Sequence, residues 1–156
     1  MTHDQQHHDQ FTIEKRYPSS LDRVWAAWAV PEKKKAWFGD GLIEIDFREG
    51  GKERGAFRDD MGEHTKEATF FEITANARIV YGYSMAMNGR IHTVSLVTIL
   101  FAEHEGGTLL RHIEQMCVMP PSDGAEGRKH GWGVLLDQLG AYLKAESPAE
   151  AAQSTW

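Results

Sequence analysis

The N-terminal third of the chain changes from an alternating to a helical spacing of apolar residues. Residues 11–17 alternate between apolar and polar side chains, a period of two that predicts a β-strand with one buried face, and Pro18 ends it. Apolar residues in 21–28 then recur at i, i+3, i+4 and i+7, which predicts one stripe of a short helix. Pro31 opens a second short helix, which ends where glycines occur in 39–41.

From residue 42 to residue 119 the period is two again, and turn residues interrupt it at short intervals. Asn88-Gly89 is the strongest hairpin signal, because both central positions of a type I′ turn need positive φ. Turns this short join antiparallel neighbours, whereas parallel strands need longer crossovers. The pattern therefore predicts an antiparallel meander of six strands. They lie in segments 42–47 and 52–58, in a segment after the turn at 59–62 that runs through 71 and 73, and in 78–87, 91–102 and 108–119.

A long C-terminal helix follows a proline-rich loop. Residues 125–144 carry one apolar stripe, and a helix of that length spans about 30 Å, enough to cross a sheet. The predicted fold is α+β: a curved antiparallel sheet of six to seven strands wrapped around this helix, with two short helices after the first strand. We expect residues 1–10 to be a disordered lead-in, 11–146 a single domain and 147–156 a loose tail. The helical stripe consists of Arg128, Trp132, Leu135, Leu136, Leu139 and Leu143.

Composition and charge narrow the function classes. The net charge is -6 with the acidic groups scattered, and nucleic acids and anionic membranes both select for basic surfaces. The short lysine run at 33–35 is interpreted as a solvated helix face. The single cysteine, Cys117, cannot form an internal disulfide and fits a cytoplasmic protein. Neither a zinc-ligand spacing nor a nucleophile elbow is present, so the sequence predicts no metal and no cofactor. The acidic net charge predicts no nucleic-acid or membrane partner.

Two ionisable residues fall on the predicted inner face of the last strand. If Leu110 and Met116 face the helix, His112 and Glu114 do so too, about 7 Å apart at two-residue spacing. A buried carboxylate needs a partner, and Arg128 on the helical stripe could supply it. This group is either a structural network or the polar end of a ligand pocket, and the sequence leaves both interpretations open.

Three glycines lie in the interior of the long helix, beyond its first turn, and each costs about 1 kcal/mol relative to alanine. Gly131, Gly133 and Gly140 therefore indicate either close packing against the sheet, which we favour, or an open cavity. A pocket between sheet and helix would be lined by inward residues of the strands and by the helix. The candidate ligand-binding residues are Trp37, Phe38, Phe71, Ile73, Tyr81, Tyr83, Met85, Ser95, Val97, His112, Glu114, Met116, Arg128, Trp132 and Leu136.

Several sequence segments together resemble a known superfamily. They include RVWAAW at 23–28, Trp37-Phe38-Gly39, REGGKERG at 48–55, RIVYGYSMAMNGR at 78–90, VSLVTILF at 94–101, GGTLLRHIEQ at 106–115 and RKHGWGVLLDQLGAYL at 128–143. The chain resembles the START-like (SRPBCC, helix-grip) superfamily, in a bacterial branch similar to the activator of heat-shock-protein ATPase homologue family. The resemblance implies a deep cavity between sheet and helix; relatives include lipid carriers, polyketide cyclases and hormone receptors, so the fold alone does not give the function.

Three functions follow as hypotheses. The leading one is non-catalytic binding of a small hydrophobic molecule, with His112 and Glu114 supplying a polar contact. The second is a cyclase- or hydrolase-like enzyme that uses the same pair as acid and base. The third is an interaction module, for a chaperone or for self-association as a homodimer. A large exposed apolar patch on the outer sheet face, such as Leu96 with Thr98 and Leu100, would favour it. The relatives that activate the chaperone carry an extra N-terminal domain, for which this chain is too short.

Overall fold

The computed structural model describes residues 6–120, 122 and 124–146, which form seven strands and three helices. The sheet order is β1-β7-β6-β5-β4-β3-β2, antiparallel throughout. The helices are α1 (Leu21–Ala29), α2 (Pro31–Phe38) and α3 (Gly124–Ala145). The strands are β1 (His7–Tyr17), β2 (Leu42–Ile45), β3 (Lys52–Asp59), β4 (Gly62–Thr74), β5 (Arg78–Met87), β6 (Arg90–His104) and β7 (Gly107–Val118).

The predicted α+β helix-grip architecture is confirmed, with boundary changes at the N-terminus. β1 begins at His7, four residues before the alternation that predicted its start, and His7 pairs with Val118 of β7. The extension is polar and exposed, so no hydrophobic period marks it, and the strand is held there by its ladder with β7. Residues 1–5 of the predicted lead-in and the predicted tail at 147–156 lie outside the described residues.

The sheet packs one face against α3, and strand parity predicted that face in β6 and β7. Thr108, Leu110, His112, Glu114, Met116 and Val118 of β7 are all buried, as are Ser95, Val97, Ile99 and Phe101 of β6. Trp132, Leu136, Leu139 and Leu143 of α3 complete this core. The hairpin at Asn88-Gly89 has φ of 52° and 83°, the positive values that its sequence predicts.

Two irregularities change which side chains face inward. A bulge between Phe70 and Glu72 turns Phe71 to the outer face, where its ring lies against Gly82 and 57% of the side chain is exposed. A second bulge between Met85 and Ala86 buries Ala86 and leaves Met85 half-buried. The inward placement predicted for Phe71 is therefore wrong, because period-two counting assumes an unbroken pleat.

The described residues contain no helix of the length and apolarity that crossing a membrane would require. A cavity opens between the sheet and α3, and it is the candidate site described next.

Candidate ligand cavity

A cavity of about 600 Å³ opens between the sheet and the N-terminal half of α3. Its volume falls within the range of small-molecule sites, roughly 300–1,000 Å³. Phe57 and Met61 on the β3–β4 hairpin are exposed and mark its rim, while Tyr83 and Trp132 are buried and mark its inner end. Its apolar wall consists of Phe38, Ala56, Phe57, Met61, Met85, Met87, Trp132 and Leu135.

Behind the inner end lies a buried hydrogen-bond network centred on Glu114. The carboxylate accepts from the Tyr83 hydroxyl at 2.5 Å and the Ser95 hydroxyl at 2.6 Å, and lies 3.0 Å from His112 Nε2. The Arg128 guanidinium nitrogen is 3.6 Å from Glu114 Oε2, so the predicted ion pair is formed. Burial raises the pKa of Glu114, but the hydrogen bonds from these neighbours outweigh it and leave the pKa below its usual value.

Tyr83 connects this network to the cavity. Its hydroxyl donates to Glu114 and accepts from Arg128 at 2.8 Å and from the indole of Trp132 at 3.4 Å. Burial, and next the negative charge of Glu114, raise the pKa of Tyr83 far above its ordinary value. The hydroxyl therefore stays protonated near neutral pH and already has both its donor and its acceptor positions occupied.

His112 lies deeper than the cavity wall. Its ring stacks on Phe11 at 5.7 Å between centroids and lies 4.3 Å from the Trp132 ring. Within the described residues its Nδ1 has no hydrogen-bond partner, although that atom is buried. Burial lowers the pKa of His112 despite the opposing effect of Glu114, so the imidazole is neutral at pH 7.

A second charged group, which sequence reasoning missed, joins α2 to the sheet. Lys34 Nζ lies 2.5 Å from Glu53 Oε1, and Lys66 Nζ lies 3.1 Å from Glu53 Oε2. Lys34 and Glu53 are both buried. Burial opposes ionisation of Glu53, but the two lysines outweigh it and lower the pKa of its carboxyl to about 2. Burial also disfavours the charged form of Lys34 and lowers the pKa of its ammonium group, whereas the attraction of Glu53 raises it.

The ammonium group of Lys66 lies at the inner end of the cavity among aromatic rings. It is 4.9 Å from the ring centroids of both Phe38 and Tyr83 and 5.6 Å from that of Trp132. These distances allow cation–π attraction, which is stronger where the cation is desolvated. Among the described residues, Lys66 and Arg128 are the lysine and arginine side chains that line the cavity.

The structure brings five of the predicted site residues to the cavity wall, namely Phe38, Tyr83, Met85, Arg128 and Trp132. Eight others are buried behind it or in the adjoining core: Trp37, Tyr81, Ser95, Val97, His112, Glu114, Met116 and Leu136. Ile73 is half-buried against the core, and Phe71 faces the opposite side of the sheet. His112 and Glu114 can therefore act on a ligand through Tyr83 and Trp132, and not by direct contact.

The missed residues carried weak signals. Lys34 is buried, which corrects the interpretation of the 33–35 run as a solvated face; it lies three residues before Trp37, on the buried side of α2. Lys66 lies two residues before Ala68, so it shares the inward face of β4 with buried residues. Each lysine lies on an otherwise apolar face, which is a weak sign of a buried charge. The partner of both, Glu53, lies on β3, so the sequence near either lysine does not indicate the pairing.

The helix glycines also differ from the close packing that we favoured. A Cβ atom added at Gly131 or Gly133 would have no neighbour within 4 Å, and Gly131 lines the cavity. At Gly140 the same atom would lie 3.4 Å from the Tyr17 ring. Gly131 thus leaves space in the cavity, whereas Gly140 approaches another element closely.

The outer face of the sheet carries a shallower groove next to exposed apolar side chains. Phe71, Val94 and Leu96 line it and are exposed. Half-buried Cys117 and polar residues of β1 and β7 line it as well. Thr98 and Leu100, which the sequence grouped with Leu96, are only half-exposed. Among the described residues, no three His, Cys, Asp or Glu side chains are grouped so as to hold a metal ion.

Known proteins share this fold over most of the chain. An uncharacterised protein from Rhizobium leguminosarum superposes with a TM-score of 0.85 at 33% identity, covering 90% of this chain and 97% of that one. The Mll3558 protein from Rhizobium loti gives 0.80 at 37% identity, covering 88% and 98%. CalU16 from Micromonospora echinospora gives 0.65 at 21% identity, covering 93% and 82%, which shows the fold alone. A comparison with curated proteins gives no match.

The family assignment rests on the extent of one further match. Residues 18–144 match the profile of the family described as "Activator of Hsp90 ATPase homolog 1-like protein". That range runs from the residue after β1 to the last turn of α3, so it includes every residue of the cavity wall. The chain therefore belongs to the Activator of Hsp90 ATPase homolog 1-like family.

Proposed function

We propose that the protein binds a small hydrophobic molecule in the cavity between the sheet and α3, without catalysing a reaction on it. The observation that carries this proposal is a cavity of about 600 Å³ with an apolar wall and a few polar groups at its inner end. Ligand sites typically combine these two features, because apolar area supplies affinity and placed polar groups supply orientation. The fold of the family is compatible with such a role.

The state of the polar groups supports binding over acid–base catalysis. A general base must come within hydrogen-bond reach of the substrate proton that it removes. Glu114 and His112 are completely buried behind the wall, and Tyr83, which does line the cavity, is already bonded to Glu114 and Arg128. The hydrogen bonds that Tyr83 and Ser95 donate to Glu114 hold the wall rigid, which favours recognition without proton transfer.

The first experiment is native mass spectrometry of the purified full chain, followed by denaturing extraction of any released molecule. We expect one apolar molecule per chain, or a thermal shift with members of a hydrophobic compound panel if the protein is purified empty. A ligand at 100 times its Kd would stabilise the fold by about 2.7 kcal/mol. An empty protein that responds to no compound would contradict the proposal and favour the interaction module.

A matched pair of helix variants locates the binding. Gly131→Leu places a side chain into the cavity, and Gly133→Leu makes the same change two residues away, where the glycine does not line it. Both sites have open space at the Cβ position, and both gain helix propensity. We expect Gly131→Leu to abolish binding and Gly133→Leu to retain it, measured by the same thermal shift. Equal binding by both variants would place the ligand elsewhere.

A further inference from the structure

The inner end of the cavity carries more positive than negative charge. Lys34, Lys66 and Arg128 are three cations, whereas Glu53 and Glu114 are two carboxylates. All five side chains are at most 12% exposed. His112 contributes no charge at neutral pH, because burial lowers its pKa. Burial lowers the pKa of Lys34 too, but its ordinary value is far above 7, and its ammonium is paired with Glu53 Oε1 at 2.5 Å, so Lys34 is counted as charged. One positive charge is therefore left over in a largely desolvated region, a situation that proteins normally resolve with a counter-ion or a paired group.

The excess belongs to the two-lysine group and not to the Glu114 network. Glu114 and Arg128 balance each other as a pair. Glu53 gives one oxygen to Lys34 and the other to Lys66, and a single carboxylate cannot neutralise two ammonium groups. Lys34 is fully enclosed between α2 and the sheet, whereas Lys66 lines the cavity. The unbalanced charge thus faces the cavity at Lys66.

Both cavity-facing cations have hydrogen-bond donors to spare. An ammonium group has three donors, and the hydrogen bond to Glu53 uses one of those on Lys66. A guanidinium has five, and Arg128 donates one to Tyr83 and one to Thr93. Both cations lie against the same Tyr83 ring, at 4.9 Å for Lys66 Nζ and 5.5 Å for Arg128 Cζ. Both residues also line the same cavity, so their spare donors are available to an acidic group bound there.

We propose that the ligand of this cavity is an apolar acid, whose single negative charge is held by Lys66 with assistance from Arg128 and whose apolar body extends toward Met61 at the rim. This inference rests on the proposed ligand-binding function and names the chemical class of the ligand. Asp40 on the rim does not offset the charge, because it is exposed and screened by water. The rings of Phe38 and Trp132, which now flank the ammonium, would pack on the part of the ligand next to its acid.

The test uses two probes that share one aromatic skeleton. Anilinonaphthalene sulfonate is an anion, and N-phenylnaphthylamine is the same skeleton without the sulfonate. Their dissociation constants are measured by fluorescence with the full chain and with two variants, Lys66→Met and Lys52→Met. Lys52 is an exposed lysine that bonds to Thr69 and does not line the cavity, so its replacement controls for the change in net charge.

We expect the anionic probe to bind at least about tenfold more tightly than the neutral one, since hydrogen bonds to charged groups are the stronger kind. Lys66→Met should remove this preference by weakening the anion alone, and Lys52→Met should keep it. Lys66→Met leaves Lys34 and Glu53 as a balanced pair, so the variant should fold, which circular dichroism and cooperative unfolding verify.

The remaining outcomes separate the two proposals. If both probes bind wild-type protein equally, or if Lys66→Met keeps the preference, the acid proposal is overturned and the binding function stands. If neither probe binds and Gly131→Leu changes no thermal response to any hydrophobic compound, the binding function fails and the acid proposal fails with it.

Discussion

At the scale of single residues, Glu114 is more important for the integrity of the fold than for ligand contact. Its carboxylate is fully buried, accepts hydrogen bonds from Tyr83 and Ser95, and pairs with Arg128. Removing one partner of a buried ion pair leaves the other charge desolvated and uncompensated, which costs more than the pair itself contributes. A glutamine at this position would also direct an amide donor toward groups that are themselves donors.

We therefore predict that Glu114→Gln lowers the free energy of unfolding by about 3 kcal/mol, the cost of breaking a buried pair. Glu14→Gln, which removes an exposed ion pair with Arg111, is the matched control and should cost less than about 1 kcal/mol. Urea unfolding measures both. If Glu114→Gln leaves stability unchanged but weakens binding of a cavity ligand, Glu114 acts in recognition, as the sequence first suggested.

The Glu114 network could be predicted from the sequence, whereas the two-lysine group could not. His112 and Glu114 share the parity of buried residues on one strand, and Arg128 lies on the apolar stripe of one helix, so local periodicity points to all three. Lys34, Glu53 and Lys66 come from α2, β3 and β4. Their relation depends on how these elements pack, which periodicity within one segment does not encode.

At the scale of elements, α3 combines packing and open space along one helix. Its C-terminal half packs against the sheet through Leu136, Leu139 and Leu143, whereas Gly131 borders the cavity. Glycine in a helix interior destabilises it relative to alanine, so the residues that leave space also weaken the helix. The strands were predictable where the pleat is unbroken; the bulge at Phe71, which reverses that side chain, leaves no periodic signal.

Alanine substitutions along α3 should separate these roles. We predict that Gly133→Ala raises the free energy of unfolding by about 0.5–1 kcal/mol, because the added methyl group meets open space and reduces unfolded-chain entropy. Gly140→Ala should gain less, because its methyl group would lie 3.4 Å from the Tyr17 ring, and the Tyr17 hydroxyl is tied to the Leu136 carbonyl. Thermal unfolding compares the two. A loss of stability with Gly133→Ala would contradict this prediction, because the structure shows no steric reason for a glycine at this position.

At the scale of the whole molecule, the charge of the cavity is opposite to that of the protein. The chain has a net charge of -6, whereas the inner end of the cavity has one positive charge in excess. An anion approaching from solution first meets a repulsive long-range field and only later the attractive buried group. Salt screens the first interaction strongly and the second weakly, because screening acts mainly on exposed charges.

This opposition predicts an unusual salt dependence for anionic ligands. The Debye length falls from about 30 Å at 0.01 M to about 8 Å at 0.15 M, so added salt removes most of the long-range repulsion. The association rate constant of anilinonaphthalene sulfonate should therefore rise roughly twofold or more over this range, the reverse of electrostatic steering. Stopped-flow fluorescence measures it, with N-phenylnaphthylamine as the salt-insensitive control. A rate that falls with salt would mean that Lys66 and Arg128 project a positive field through the mouth of the cavity, strong enough to outweigh the acidic surface around it.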